Sequence, residues 1–118
     1  MISVTRDVFR LAQIFTISRG NRSEAQVLTV HVSRDGLTGR GECVPYSRYG
    51  ETLDSVSAQI ASLPERISRE DLQQALPAGA ARNAVDCALW DLAAKASGKR
   101  IWELLAMSRP QPAITAYT

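Results

Sequence analysis

The chain has 118 residues, 45% of them hydrophobic and 22% charged, with a formal net charge of +2. That length fits one domain, and the composition supports a packed core rather than a disordered segment. The basic residues are scattered instead of gathered on one face, which argues against a nucleic-acid surface. No apolar run approaches the length of a membrane span.

Residues 2–10 carry β-branched side chains in partial alternation and predict a first strand. Residues 11–23 read as a mixed, turn-rich loop that includes RGNR at 19–22. The clearest strand is 24–34, with Leu28, Val30 and Val32 on one face and Val27, Thr29, His31 and Ser33 on the other. Asp35 and Gly36 are a hairpin signal. Residues 37–43 return as a third strand, in which Gly39 and Gly41 permit close backbone approach. The expected sheet is an antiparallel meander of three strands, followed by a second loop, VPYSRYGE, at 44–51.

A helical group comes next, so the fold class is α+β. Thr52 is a candidate N-cap for a helix reaching about residue 63, with Val56, Ile60 and Leu63 on one stripe and Pro64 past its end. Ser68 and Asp71 resemble a capping box opening a short helix through residue 76. The longest helix is expected at 78–97. Ala81, Ala84, Val85, Ala88, Leu89, Leu92, Ala93 and Ala96 recur there at helical spacing, and so many alanines imply a very close neighbour. Gly98 fits as the stop, and 101–105 is a short apolar turn carrying Trp102. After RPQP at 109–112, residues 113–118 start a new extended segment, from which the polypeptide is expected to continue.

The sequence contains no HExxH, GxSxG, Walker loop or GxGxxG. Cys43 and Cys87 lack metal-type spacing and read as two reduced, buried thiols. Arg6 and Asp7 stand where a signal peptide would need its apolar stretch, and the chain reads as cytoplasmic. His31, the sole histidine, sits mid-strand and reads as structural. Asp86 and Asp91 read as solvated or salt-bridged carboxylates. Glu42, at a strand end, has a structural reading and could orient a loop backbone or a partner-domain group. The GAA at 79–81 opens a helix and could bind an anion, but tight packing explains it better. The loops say more. Arg19 and Arg22 on the first, with Tyr46, Arg48 and Tyr49 on the second, could close over an anionic ligand; the alternative is that exposed arginines solvate a surface.

Four stretches, RGNRSEA at 19–25, GECVPYSRYGE at 41–51, LPAGAARNAVDCALWDLA at 76–93 and GKRIWELL at 98–105, resemble the N-terminal domain of the enolase superfamily. The likeness covers essentially the whole chain. The two loop motifs are similar to those of the muconate-lactonizing-enzyme-like members that epimerise L-Ala-D/L-Glu dipeptides. The resemblance implies a capping domain over residues 1–111, with 112–118 a stub of the first strand of a TIM-type barrel. It implies that the two loops form a lid over the barrel mouth. Arg22 would meet the acidic side chain of the substrate, and Arg19, Tyr46 and Tyr49 would shape the lid. It further implies a chemistry of α-proton abstraction, with barrel lysines as acid and base and a Mg2+ ion stabilising the enediolate.

The Lys-x-Lys motif and the acidic metal ligands of that barrel are absent here. Lys95 and Lys99, the only lysines, sit at or past the end of a helix. No catalytic or metal-binding residue is therefore expected in this chain. The implied partners are the barrel domain of the same protein, the dipeptide held through the lid loops and further copies in a homo-oligomer, with no nucleic acid or membrane. An isolated cap would expose the surfaces that a barrel covers and is expected to self-associate. Two other readings stay open. One is the cap of another racemase or cycloisomerase, acting on an N-acyl amino acid, o-succinylbenzoate or a muconate lactone. The other is a stand-alone binding or oligomerisation module, with its Ala-rich helix face buried in a symmetric dimer.

Overall fold

The computed structural model describes residues 1–17 and 20–116. Strands β1 (Ile2–Ile17), β2 (Gly20–Arg34) and β3 (Leu37–Cys43) pair antiparallel in chain order. The β2–β3 turn has positive φ at both central residues, Asp35 at 51° and Gly36 at 77°. Two such residues match the right-handed twist of the flanking strands, so the turn sets the pairing of Arg34 with Leu37.

The first strand runs farther than its alternation indicates. β1 continues through the segment expected to be a loop, and β2 begins at Gly20, so residues 11–23 are mostly a β-arm. Pairing is regular from Ile2–Val32 to Arg10–Glu24 and resumes at Phe15–Arg22. Residues 11–14 therefore stand opposite Ser23 alone. This bulge breaks the period-2 pattern and redirects the arm.

Period-2 geometry puts Leu28, Val30 and Val32 on the inner face with Ile2 and Val4 beside them. Helices α1 (Leu53–Ala61), α2 (Arg69–Ala75) and α3 (Ala80–Ser97) cover that face, and a one-turn α4 (Ile101–Leu104) follows. Val56, Ile60, Leu72, Val85 and Leu89 complete the core. Full burial of each large aliphatic side chain contributes about 1.5–3 kcal/mol. The helix ends are specified locally. Thr52 Oγ1 accepts from Ser55 N–H at 3.0 Å and Ser68 Oγ from Asp71 N–H at 3.0 Å. Gly98 ends α3 at φ 66°.

The close neighbour of the alanine face is the chain's own sheet. A Cβ at Gly41 would lie 2.0 Å from the Ala84 carbonyl oxygen, and one at Gly39 would lie 2.0 Å from that of Ala88. Strand and helix backbones touch there with no side chain between them. Ala81, Ala84 and Ala88 are buried, whereas Ala93 and Ala96, grouped with them by spacing, are exposed. The face is thus already occupied, and the symmetric dimer through it loses its surface.

Both carboxylates of α3 are ion-paired. Asp86 bonds Arg69 Nε at 2.9 Å, and the Arg69 guanidinium lies 3.6 Å above the Trp90 ring, tying α2 to α3. Asp91 bonds Lys95 at 2.7 Å. Cys43 is buried as expected, but Cys87 is exposed, because it falls on the solvent side of α3. Residues 107–116 have no regular secondary structure. No helix among the described residues is long and apolar enough to cross a membrane.

Candidate functional site

The second loop is folded on itself rather than extended. A 3₁₀ turn at Ser47–Tyr49 closes with Tyr49 N–H donating to Tyr46 O at 2.9 Å and Gly50 N–H to Ser47 O at 3.0 Å. Gly50 takes φ 73°, a left-handed value that lets the chain turn back toward α1. The turn projects Tyr49 outward, 75% exposed, and leaves Tyr46 half-buried beneath it. The two rings are 5.8 Å apart and tilted by 51°, within the distance range of interacting aromatic pairs.

Arg22 arrives from the β-arm. Its guanidinium carbon lies 5.7 Å from the centre of the Tyr46 ring, within cation–π range. Arg22, Tyr46 and Tyr49 thus form one continuous array drawn from two segments. Arg22, Glu24 and Gln26 of β2, with Val44 and Pro45 of the second loop, line an open groove of ≈ 390 Å³. The array presents a cation backed by aromatic faces, which suits a carboxylate approached from solvent. Arg19 lies outside the described residues.

One residue that holds this site together was missed from sequence. Glu42, which could orient a loop backbone or a partner-domain group, is exposed, opposite Thr29. Glu51 does that work. Its Oε2 accepts from Tyr46 N–H at 3.1 Å and its Oε1 from Ala80 N–H at 2.7 Å. Ala80 is the first residue of α3, whose first turn has no acidic side chain of its own. The positive end of the helix dipole therefore receives its anion from the second loop. The GAA helix start does hold an anion, and that anion is internal. Gly79 makes room for it: a Cβ there would lie 2.8 Å from Glu51 Oε1.

The Cys43 thiol, below this loop, is pushed up to about 11 by burial and by the charges of Glu51 and Glu42. It stays a neutral thiol, inert as a nucleophile. His31 is half-buried on the outer sheet face, paired with Ser3 and Arg40, away from the array. Among the described residues, no three His, Cys, Asp or Glu side chains are grouped so as to hold a metal ion. The described residues therefore offer no magnesium site.

The Mandelate racemase / muconate lactonizing enzyme, N-terminal domain family model matches residues 1–106. The chain belongs to this family. As a racemase/lactonizing-enzyme N-terminal domain it is 48% identical to the L-Ala-D/L-Glu epimerase of Escherichia coli (strain K12), over 99% of this chain and 38% of that enzyme. It superposes at TM-score 0.92, with 49% identity, on an enolase family member from Agrobacterium tumefaciens with homology to dipeptide epimerases. That crystal structure has bound sodium and L-Ala-L-Glu with an ordered loop, and the match covers 98% of this chain and 37% of that one. A dipeptide epimerase from Methylococcus capsulatus, complexed with Mg and L-Arg-D-Lys, aligns at TM-score 0.73 and 32% identity over 89% of this chain and 34% of that one. The three-stranded sheet and helices are thus the enolase-type N-terminal domain, and the chain spans little more than a third of the length of these relatives.

Proposed function

We propose that this domain is the cap of a dipeptide epimerase acting on L-Ala-D/L-Glu, and that its two loops form the lid that selects the acidic side chain. Residues 1–111 are the cap, and 112–118 lead into the first strand of a catalytic barrel. The observation that carries the reading is the convergence of Arg22, Tyr46 and Tyr49 on one array. Arg22 meets the substrate γ-carboxylate. Tyr46 holds the guanidinium from behind, and Tyr49 closes the rim. Arg19, on the same arm, is the weaker candidate for shaping the lid.

The reacting groups lie in the barrel. Relatives crystallised with magnesium or sodium and a dipeptide support a barrel-held Mg2+ that stabilises charge at the substrate carboxylate when bound. This chain contributes binding and exclusion of water, and it moves no proton. A related structure holds the cationic L-Arg-D-Lys, so the same fold accommodates opposite side-chain charges. The sign of the lid residue then decides the choice, and Arg22 selects an acid. Val8, Phe9, Ile14 and Phe15 of β1, all around half exposed or more, lie on both faces of the arm and offer apolar contacts to the barrel, with homo-oligomer contacts elsewhere on the assembled protein. The free thiols of Cys43 and Cys87 fit a cytoplasmic setting.

The test is Arg22→Ala in the full-length protein, assayed for epimerisation of L-Ala-L-Glu. Loss of a charged hydrogen bond corresponds to about a tenfold to hundredfold rise in KM. kcat should change little, because the contact is made alike in the ground state and the transition state. An unchanged KM would sink the assignment.

A further inference from the structure

We infer that Glu51 is a positioning residue for substrate selection, latching the Tyr46–Tyr49 loop to the N-terminus of α3 so that Tyr46 stands behind Arg22. This rests on the lid reading above and deepens it. The latch joins positions far apart in the chain: Glu51 and Ala80 are 29 residues apart. Its two oxygens are each committed, one to the loop through Tyr46 N–H and one to the helix through Ala80 N–H. The loop's own backbone bonds, from Tyr49 and Glu51 N–H to Tyr46 O and from Gly50 N–H to Ser47 O, close the loop on itself and do not reach the helix. The carboxylate adds the bond from the loop to the helix that carries the core. The tilted ring contact and the cation–π contact then extend the fixed position from Tyr46 to Tyr49 and Arg22.

The chemistry requires a carboxylate. An ionised carboxylate only accepts, and here it faces two donors. A glutamine in its place has one acceptor and one NH2 group, so one backbone N–H would face another donor. Glu51→Gln therefore opens one arm of the latch while keeping size and shape. Gly79→Ala attacks the same bond from the helix side, because the new methyl would lie 2.8 Å from Oε1. Gly79 has extended backbone (φ 164°) that any residue adopts, so the carboxylate is what must give.

The experiment compares full-length wild type, Glu51→Gln, Gly79→Ala, Arg22→Ala and the Glu51→Gln/Arg22→Ala double variant, with KM and kcat for L-Ala-L-Glu. Hydrogen exchange over residues 44–51 is measured alongside. Both latch variants are expected to speed exchange in that loop and raise KM about tenfold, with kcat within about twofold. In the Glu51→Gln background, Arg22→Ala should cost a smaller factor than it costs alone, because the arginine's support is already lost. A merely structural role would lower active enzyme and kcat without moving KM. The inference is overturned if Glu51→Gln and Gly79→Ala leave KM at the wild-type value, or if Arg22→Ala alone raises KM and its effect multiplies in full with that of Glu51→Gln. If Glu51→Gln does not fold, the KM of Gly79→Ala decides the question alone. If Arg22→Ala has no effect while the latch variants raise KM, the side-chain assignment of Arg22 fails and the latch stands.

Discussion

Gly41→Ala is the sharpest test of how this fold is held together. The added Cβ would sit 2.0 Å from the Ala84 carbonyl oxygen, 2.8 Å from Ala88 N and 3.0 Å from the Ala84 carbonyl carbon. All three are helix backbone, so no side chain can swing aside. Reaching ordinary contact at 3.4 Å requires β3 and α3 to separate by about 1.4 Å, which opens the layer containing Val30 and Val85. Overpacking of a yielding core costs about 1–3 kcal/mol, and a backbone obstacle places this variant at or beyond about 3 kcal/mol. With an unfolding entropy near ~2.1 cal/mol/K per residue, that corresponds to a fall of about 12 °C in Tm. Thermal unfolding of the chain followed by circular dichroism would read it. Adding Ala84→Gly should not rescue the variant, because the obstacle is the carbonyl and not the methyl. A Tm within about 3 °C of wild type, or rescue by Ala84→Gly, would refute the backbone-contact account.

Two further outcomes concern ionisable groups. Burial works to raise the pKa of Asp91, but hydrogen bonds from Lys95 Nζ and the Arg40 amide, with the charges of both residues, outweigh it and hold the carboxyl below its usual value. A depressed folded-state pKa stabilises above the unfolded value and loses that contribution as pH falls through the folded one. Asp91→Asn should therefore cost about 0.5 kcal/mol at pH 7 and progressively less as pH falls below the usual carboxylate range, as urea denaturation across that range would show. A pH-independent difference would contradict the pairing. For the thiols, a disulfide reagent at pH 8 should modify exposed Cys87 promptly and buried Cys43 only on unfolding, as counted by mass spectrometry.

Much of this architecture can be read locally. The hairpin at Asp35–Gly36 and the caps at Thr52, Ser68 and Gly98 depend on a few neighbouring residues whose chemistry is short-ranged, and each is where its side chains predict. The arm was harder. Alternation identifies a strand only while pairing is regular, and residues 11–14 opposite Ser23 erase it just where β1 extends. The packing of α3 was half legible: the alanines announced a close neighbour without naming it. Two glycines at i and i+2 on a strand are about 6.6 Å apart, and two alanines at i and i+4 on a helix about 6 Å. Gly39 and Gly41 therefore match Ala88 and Ala84, a correspondence visible only when both elements are considered together. Of the site, Arg22, Tyr46 and Tyr49 stood out as groups suited to an anion, but their mutual contact did not. Glu51 escaped because its partner is a backbone amide far along the chain, and backbone amides leave no mark in a sequence.

The bulge in β1 divides the domain in an unequal way. On one side lie residues whose exchange disturbs the core, such as Val30 against Gly41. On the other, Leu11, Ile14, Phe15 and Arg22 are exposed and belong to no part of that core. Sequence drift along the arm is therefore nearly free of folding cost, whereas drift in the latched second loop is not. An exchange on the arm leaves the core contacts in place, whereas one in the second loop is felt at α3 through Glu51.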